Sequence, residues 1–277
     1  MKKITKRTAV ILSVVTFFCT FIAGLEISFA SWKKRGTWSP DYEKMDISQI
    51  LIKTELTDEE YEILYAQTGL TKLGVDGLLK NYRVDIILEI QNRYFASNSI
   101  TYDPILPYVA VGALDGYGTL CALEDGDIIL SASTSVAGIR VGHAALVVDG
   151  KNSTVLESFQ IGYDSDFADA VTETEMSTYM VLRPTGIPEE IIKSVVEYAK
   201  NELVGLPYNQ IVGLIPKKYQ EEITSTQCSH LCWYAYKKFG YDIDSTGGIF
   251  VSPKDIANSS YFEVVQIFGF DPERLWK

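Results

Sequence analysis

The chain has 277 residues, 25 of them basic and 36 acidic, for a net charge of −11 at neutral pH. An acidic balance of this size argues against nucleic acid as a partner, because holding a polyanion requires clustered Lys and Arg. A chain of this length buries a substantial core without disulfide staples, as one domain with an additional segment or as two small domains.

Lys2, Lys3, Lys6 and Arg7 precede an apolar run from Ala9 to Leu25, and Ser28-Phe29-Ala30 sets small residues at alternate positions. This is the pattern of a secretory signal peptide over residues 1–30. The run is short for a membrane span, so export with cleavage is expected, and membrane contact only if the segment is retained. Thr16, Phe17 and Phe18 stand where a lipoprotein signal needs small residues, so Cys19 is expected to leave with the leader. Without residues 1–30 the chain keeps 21 basic and 35 acidic residues, a net charge of −14. An anionic substrate must then be captured by a local pocket rather than steered by charge. Cys121, Cys228 and Cys232 remain, an odd number that leaves at least one thiol unpaired within the monomer.

From about Asp46 to Ala96 the spacing predicts helices. Thr57 with Glu60 forms a capping box ahead of Tyr61, Leu64 and Tyr65. Thr71 is placed to cap a segment through Leu79, and Ile86, Ile87, Ile90, Tyr94 and Phe95 make an apolar packing stripe. Residues 31–115 are therefore expected to be a helical N-terminal region. Residues 97–118, with Pro104, Pro107 and several glycines, read as an irregular connection.

Beyond it the period changes. Asp127–Ala132, Ala144–Val148, Thr154–Phe159 and Met180–Arg183 read as strands, the middle two joined as a hairpin through Asp149-Gly150-Lys151-Asn152. Pro188 opens an amphipathic helix carrying Ile191, Ile192, Val195, Ala199 and Leu203. A last helix begins near Cys228, with Leu231, Cys232, Ala235, Tyr236 and Phe239 on one side and Gly240 as its stop. The fold class is α+β, with residues 116–277 as the second domain.

Only two histidines exist, His143 and His230, so any mechanism needing an imidazole base has two candidates. Cys228 falls in the first turn of its helix, where unpaired N–H groups and the positive dipole end favour a thiolate, with Thr226 or Ser225 able to cap. Cys232, one turn further on the apolar face, reads as a buried, inert thiol, and Cys121 as buried or disulfide-bonded. His143 opens an apolar strand beside Gly142, a position that taken alone is more often structural. Glu157 is the candidate to orient its ring. Strand side chains alternate faces, so a hairpin loop with an odd number of residues, three with Gly150 left-handed, sets both on one side. A two- or four-residue loop turns Glu157 away. Cys228, His230 and Cys232 do not share a helix face, and four ligands of zinc spacing are absent, so no metal and no cofactor are expected. His230 is expected at the surface or rim.

Gly126-Asp127-Ile128-Ile129, Gly142-His143-Ala144-Ala145-Leu146-Val147, Gly205-Leu206-Pro207-Tyr208-Asn209 and Gln227-Cys228-Ser229-His230-Leu231 together resemble the circularly permuted, papain-like relatives of NlpC-type cell-wall hydrolases, over roughly residues 116–265. In that group the histidine strand precedes the cysteine helix, as here. The resemblance implies an antiparallel sheet or partial barrel packed with helices. By position, Cys228 matches the nucleophile, His143 the base, Glu157 the orienting acid, and Tyr208 a tyrosine near the pocket. His230 stands where the family often has an acidic residue.

The expectation is a secreted bacterial cysteine hydrolase, extracellular or wall-associated, cleaving peptide or peptidoglycan-like amides through an acyl-enzyme. The alternatives are a lipid or thioester acyltransferase with the same triad and a non-enzymatic binding module.

Overall fold

The computed structural model describes residues 6–35, 37–106 and 108–276. An apolar helix α1 (Lys6–Arg35) leads into four short helices, α2 (Ser48–Leu51), α3 (Asp58–Thr68), α4 (Lys72–Lys80) and α5 (Val84–Tyr94). The capping box forms as the sequence indicates: Thr57 Oγ1 accepts from the Glu60 N–H at 3.3 Å, and Glu60 accepts from the Thr57 N–H at 3.0 Å. Gly69 closes α3 in the left-handed conformation at φ +72°.

Strands β1 (Ile100–Leu106) and β2 (Val109–Leu114) occupy the stretch expected to be irregular. With β4 (Thr134–Val136) and β5 (Ile139–Arg140) they form a four-stranded sheet in the order β1-β2-β4-β5. Pro104 is tolerated because β1 is the edge strand and its register with β2 shifts between Pro104 and Leu106, so the missing N–H breaks no interior ladder.

The larger sheet is antiparallel with the order β10-β9-β3-β6-β7-β8, formed by β3 (Ile128–Ser131), β6 (His143–Asp149), β7 (Thr154–Glu157), β8 (Asp166–Asp169), β9 (Tyr179–Pro184) and β10 (Phe262–Phe268). The molecule is thus α+β. Both faces of the large sheet are covered, which explains why β3 and β6 read as continuous apolar runs rather than alternating ones. Ile128, Leu130, Leu146 and Leu182 pack with helices α6 (Glu189–Glu202) and α7 (Cys228–Lys237). Ile129, Val147, Val155 and Val181 pack with Leu64, Val75, Ile87 and Ile90 of α3 to α5. The N-terminal helices therefore share a core with the sheet.

One buried ion pair ties this sheet together. Asp127 is fully buried and accepts from Arg183 Nε at 3.0 Å and Nη2 at 2.8 Å, while Arg183 also donates to the Ala122 carbonyl. Burial pushes the Asp127 carboxyl up to about 6 against the opposing pull of Arg183. Removing one partner strands the other charge in the interior. Arg183→Leu should cost about 3–5 kcal/mol of unfolding free energy in urea melts, with Asp127→Ala similar.

Candidate active site

The site is assembled where the first residue of β6 meets the first residue of α7, two elements in direct contact. Gly142, just before β6, lets the strand lie close against β3. At φ +79° it lies so close to the Ser131 carbonyl that an added Cβ would sit 2.5 Å from it. His143 follows, and only 3% of it is exposed.

Glu157 reaches His143 because of the hairpin register. It pairs with Ala145, and His143 lies two residues before Ala145, so both side chains leave the same face on neighbouring strands. His143 Nε2 and Glu157 Oε2 are 2.7 Å apart. This is the parity expected of a three-residue loop, but the turn achieves it differently. The pairing shifts by one between Val147 and Asp149, leaving four residues between the strands, and Ser153 rather than Gly150 is left-handed, at φ +54°. Gly150 is needed for space instead, since a Cβ there would lie 2.6 Å from the Leu123 carbonyl.

Cys228 is the first residue of α7, where backbone N–H groups lack intrahelical acceptors. The cap is neither Thr226 nor Ser225. Gln227 Oε1 accepts from the Ser229 N–H at 3.1 Å, and the Cys228 thiol donates to the same oxygen at 3.2 Å. Gln227 Nε2 in turn donates to the Val251 carbonyl at 3.1 Å, which fixes the amide. Cys228 lines the same cleft as His143 and is one of the groups that favour a charged ring. Nε2 is committed to Glu157, so Nδ1 is the ring nitrogen left for another partner. Burial opposes a charge on the ring, but the charge of Glu173 and the hydrogen bonds with Cys228 and Glu157 outweigh it and hold the imidazole well above its ordinary 6.5. Phe159 stands edge-on to the ring at 5.3 Å and limits its rotation.

Glu173 also belongs to this group, and no motif or spacing in the chain singles it out. It lies in the short 3-10 helix Ala170–Glu175 after β8 and is 2% exposed, with Oε1 3.7 Å from His143 Nε2. Its second oxygen is buried with no hydrogen-bond partner among the described residues. Burial, with the neighbouring Glu157 charge, pushes its carboxyl up to about 7 despite the attraction of His143. One half-buried and one buried carboxyl group thus face one imidazole.

The remaining candidates separate clearly. Tyr208 lines the same cleft as Cys228 and His143, and burial followed by the charge of Cys228 raises its hydroxyl, keeping it a donor. His230 is buried rather than at the rim. Thr226 Oγ1 donates to its Nδ1 at 3.0 Å and its Nε2 donates to the Lys218 carbonyl at 2.7 Å, while burial lowers its pKa to about 4. The segment before α7 folds back over the helix and covers that face. Cys121 and Cys232 are free and buried, and burial raises both thiols.

His143, Glu157 and Glu173 also bring one nitrogen and two carboxylate oxygens within 4.8 Å of one another, a donor set that suits a divalent cation. A cation there would take Nε2 from Glu157 and leave Nδ1 as an N–H. Cation binding and general-base use of the ring exclude each other.

The cleft over Cys228 has a volume of about 380 Å³ and a mainly apolar wall that includes Ile105, Leu106, Val109, Ile161, Phe250 and Trp276.

No family model and no curated protein matches the chain. It is similar in part to the crystal structure of the metalloprotein yiiX from Escherichia coli O157:H7, at 16% identity over 52% of this chain and 97% of that chain, with a TM-score of 0.39.

Proposed function

We propose that the protein is an exported thiol hydrolase of papain-like, permuted NlpC type. The observation that carries this reading is a single buried imidazole bonded to the Glu157 carboxylate and lining one cleft with Cys228, the cysteine standing at a helix start. Nucleophile, base and orienting acid are then gathered at one cleft. Apolar leader and helix placement are compatible with export.

In the proposed reaction the Cys228 thiolate attacks a carbonyl carbon and forms an acyl-enzyme. Negative charge developing on the carbonyl oxygen meets the Cys228 backbone N–H, with the Tyr208 hydroxyl as the second donor. The imidazolium of His143 gives its proton to the leaving group, and the ring then takes a proton from the water that releases the acid. Glu157 keeps the imidazole turned with Nδ1 toward sulfur throughout.

The substrate expected from the sequence is a wall peptide amide. A second reading, acyl transfer from a lipid or thioester, is favoured by the apolar wall of the cleft. The two are separated by intact-mass analysis after incubation with soluble wall peptides or with a long-chain acyl thioester. An adduct on Cys228 with the mass of a peptide acyl group supports the first and a fatty acyl adduct supports the second. Neither adduct, with His143→Ala behaving as the parent, rejects both and leaves a binding module.

A further inference from the structure

The C-terminal end of α1 is built into the protein. The helix runs unbroken through Ser28-Phe29-Ala30, where a secretory leader would be cut. Just beyond, Trp32 is buried between Phe29 and Tyr102, with ring centroids 5.5 Å and 5.1 Å away. The Lys33 ammonium lies over the Phe29 and Tyr102 rings at 4.5 Å and 4.9 Å, and the Tyr102 hydroxyl donates to the Lys33 carbonyl at 3.2 Å. Gly138, left-handed in the turn between β4 and β5, touches the helix so closely that a Cβ would lie 2.1 Å from the Phe29 nitrogen and 2.4 Å from the Ser28 carbonyl carbon. A cleavage site in a packed helix is cut only when the segment opens.

The part of α1 before this anchor is apolar, unburied and long enough to cross a bilayer. Its groove against the small sheet, lined by Leu25, Phe29 and Tyr102, shares Leu106 and Val109 with the Cys228 cleft. The rim of that cleft is unusually apolar for a surface facing water. Val141, Phe159, Ile161 and Phe250 line the cleft and are 36%, 40%, 51% and 40% exposed, and Ile139 beside them is 65% exposed. Contiguous exposed apolar side chains beside a spanning segment fit a lipid surface better than water.

We infer that α1 is retained as a membrane tether and that it seats the apolar rim of the Cys228 cleft, around Ile139, Val141, Phe159 and Ile161, on the bilayer. The acidic domain would be repelled by an anionic membrane if it were free. A tether ending at Trp32 offsets this by holding the rim at high local concentration, and Lys33 and Lys34 add positive charge at headgroup level. If Cys228 is the nucleophile, as the proposed function has it, the carbonyl it attacks is presented from the membrane. The docking itself does not depend on catalysis.

The test uses the full chain, purified in detergent from the membrane fraction of an expressing bacterium and weighed intact. It is then reconstituted into vesicles of phosphatidylcholine and phosphatidylglycerol with or without brominated acyl chains. The mass is expected to include residues 1–35. Brominated lipid is expected to quench the added emission of Ile161→Trp and Ile139→Trp, and to leave Tyr82→Trp, on the turn between α4 and α5, unchanged. A chain beginning after Ala30, or rim emission as insensitive to bromine as that of Tyr82→Trp, overturns the inference. Either failure leaves the alkylation behaviour of Cys228 intact, so loss of the tether and loss of the thiol chemistry are read separately.

Discussion

Iodoacetamide is expected to alkylate Cys228 roughly 100-fold faster than Cys121 or Cys232 at pH 6, with mass mapping of the modified peptides as the readout. The asymmetry follows from environment. Cys121 and Cys232 are enclosed by apolar side chains that disfavour the thiolate, whereas Cys228 faces a cleft and an imidazole whose charged form is stabilised. The sign of the pH dependence follows from His143. Its folded-state pKa lies above 6.5, so the imidazolium persists through neutral pH and is lost only as pH rises through that higher value. The rate should therefore show a plateau across neutrality. In His143→Ala it should fall by about 100-fold at pH 6 and rise only on the alkaline side, as an ordinary thiol titrates. Equal rates for all three cysteines in both proteins would remove the activated pair, and the hydrolase reading with it.

Glu173→Gln should change the same profile in a different way. The carboxyl is held up to about 7 by burial, so it is neutral below that pH and becomes an anion beside His143 above it. That anion supports the imidazolium, so its loss should move the alkaline end of the plateau down by about one pH unit, without abolishing fast alkylation at pH 6. The amide is isosteric with the protonated acid and fills the same buried space, so the plateau height should be little changed. Glu173→Ala, which also opens a cavity beside the ring, should lower it.

Stability gives an independent sign. A carboxyl with a raised folded-state pKa binds its proton more tightly in the native state. Its contribution is fully present below the unfolded value near 4.5 and is lost as pH rises through about 7. Glu173→Gln should accordingly be more stable relative to the parent at pH 8 than at pH 4.5, by about 1–3 kcal/mol in urea melts. Parallel pH profiles for the two proteins would mean that Glu173 is already ionised or is decoupled from the ring.

Several elements were legible because their causes are local. The Thr57 capping box, the Pro188 helix start, and the strands from Ile128, His143 and Thr154 are written in spacing, and they are found within a residue or two of expectation. The scarcity of histidine, with only two in the chain, limited the base to two candidates before any geometry was known. Other features were not legible because their causes are non-local. Residues 97–118 form a hairpin because β4 supplies a partner for β2, which no window over that stretch can reveal. His230 is buried by the segment around Lys218, twelve residues earlier. Glu173 sits in Thr172-Glu173-Thr174-Glu175, a polar stretch that reads as solvent-facing, and its burial depends on where β7 and β8 hold the turn that follows them.

By itself the sequence determined the order of chemical groups along the chain: an apolar leader, a histidine opening a β-rich run, an acid fourteen residues later, and a cysteine at the start of an amphipathic helix. Side-chain periodicity and helix-start chemistry act over a few residues, so these are local properties. Tertiary structure decided which groups meet. Whether Glu157 faces His143 rests on a one-residue register shift between Val147 and Asp149, and a shift of one reverses every side chain on a strand. Whether the ring has one carboxyl beside it or two, and whether α1 ends free or clamped against Tyr102 and Gly138, are set by contacts between residues tens of positions apart. Such contacts depend on how the layers pack, which no short stretch of sequence encodes.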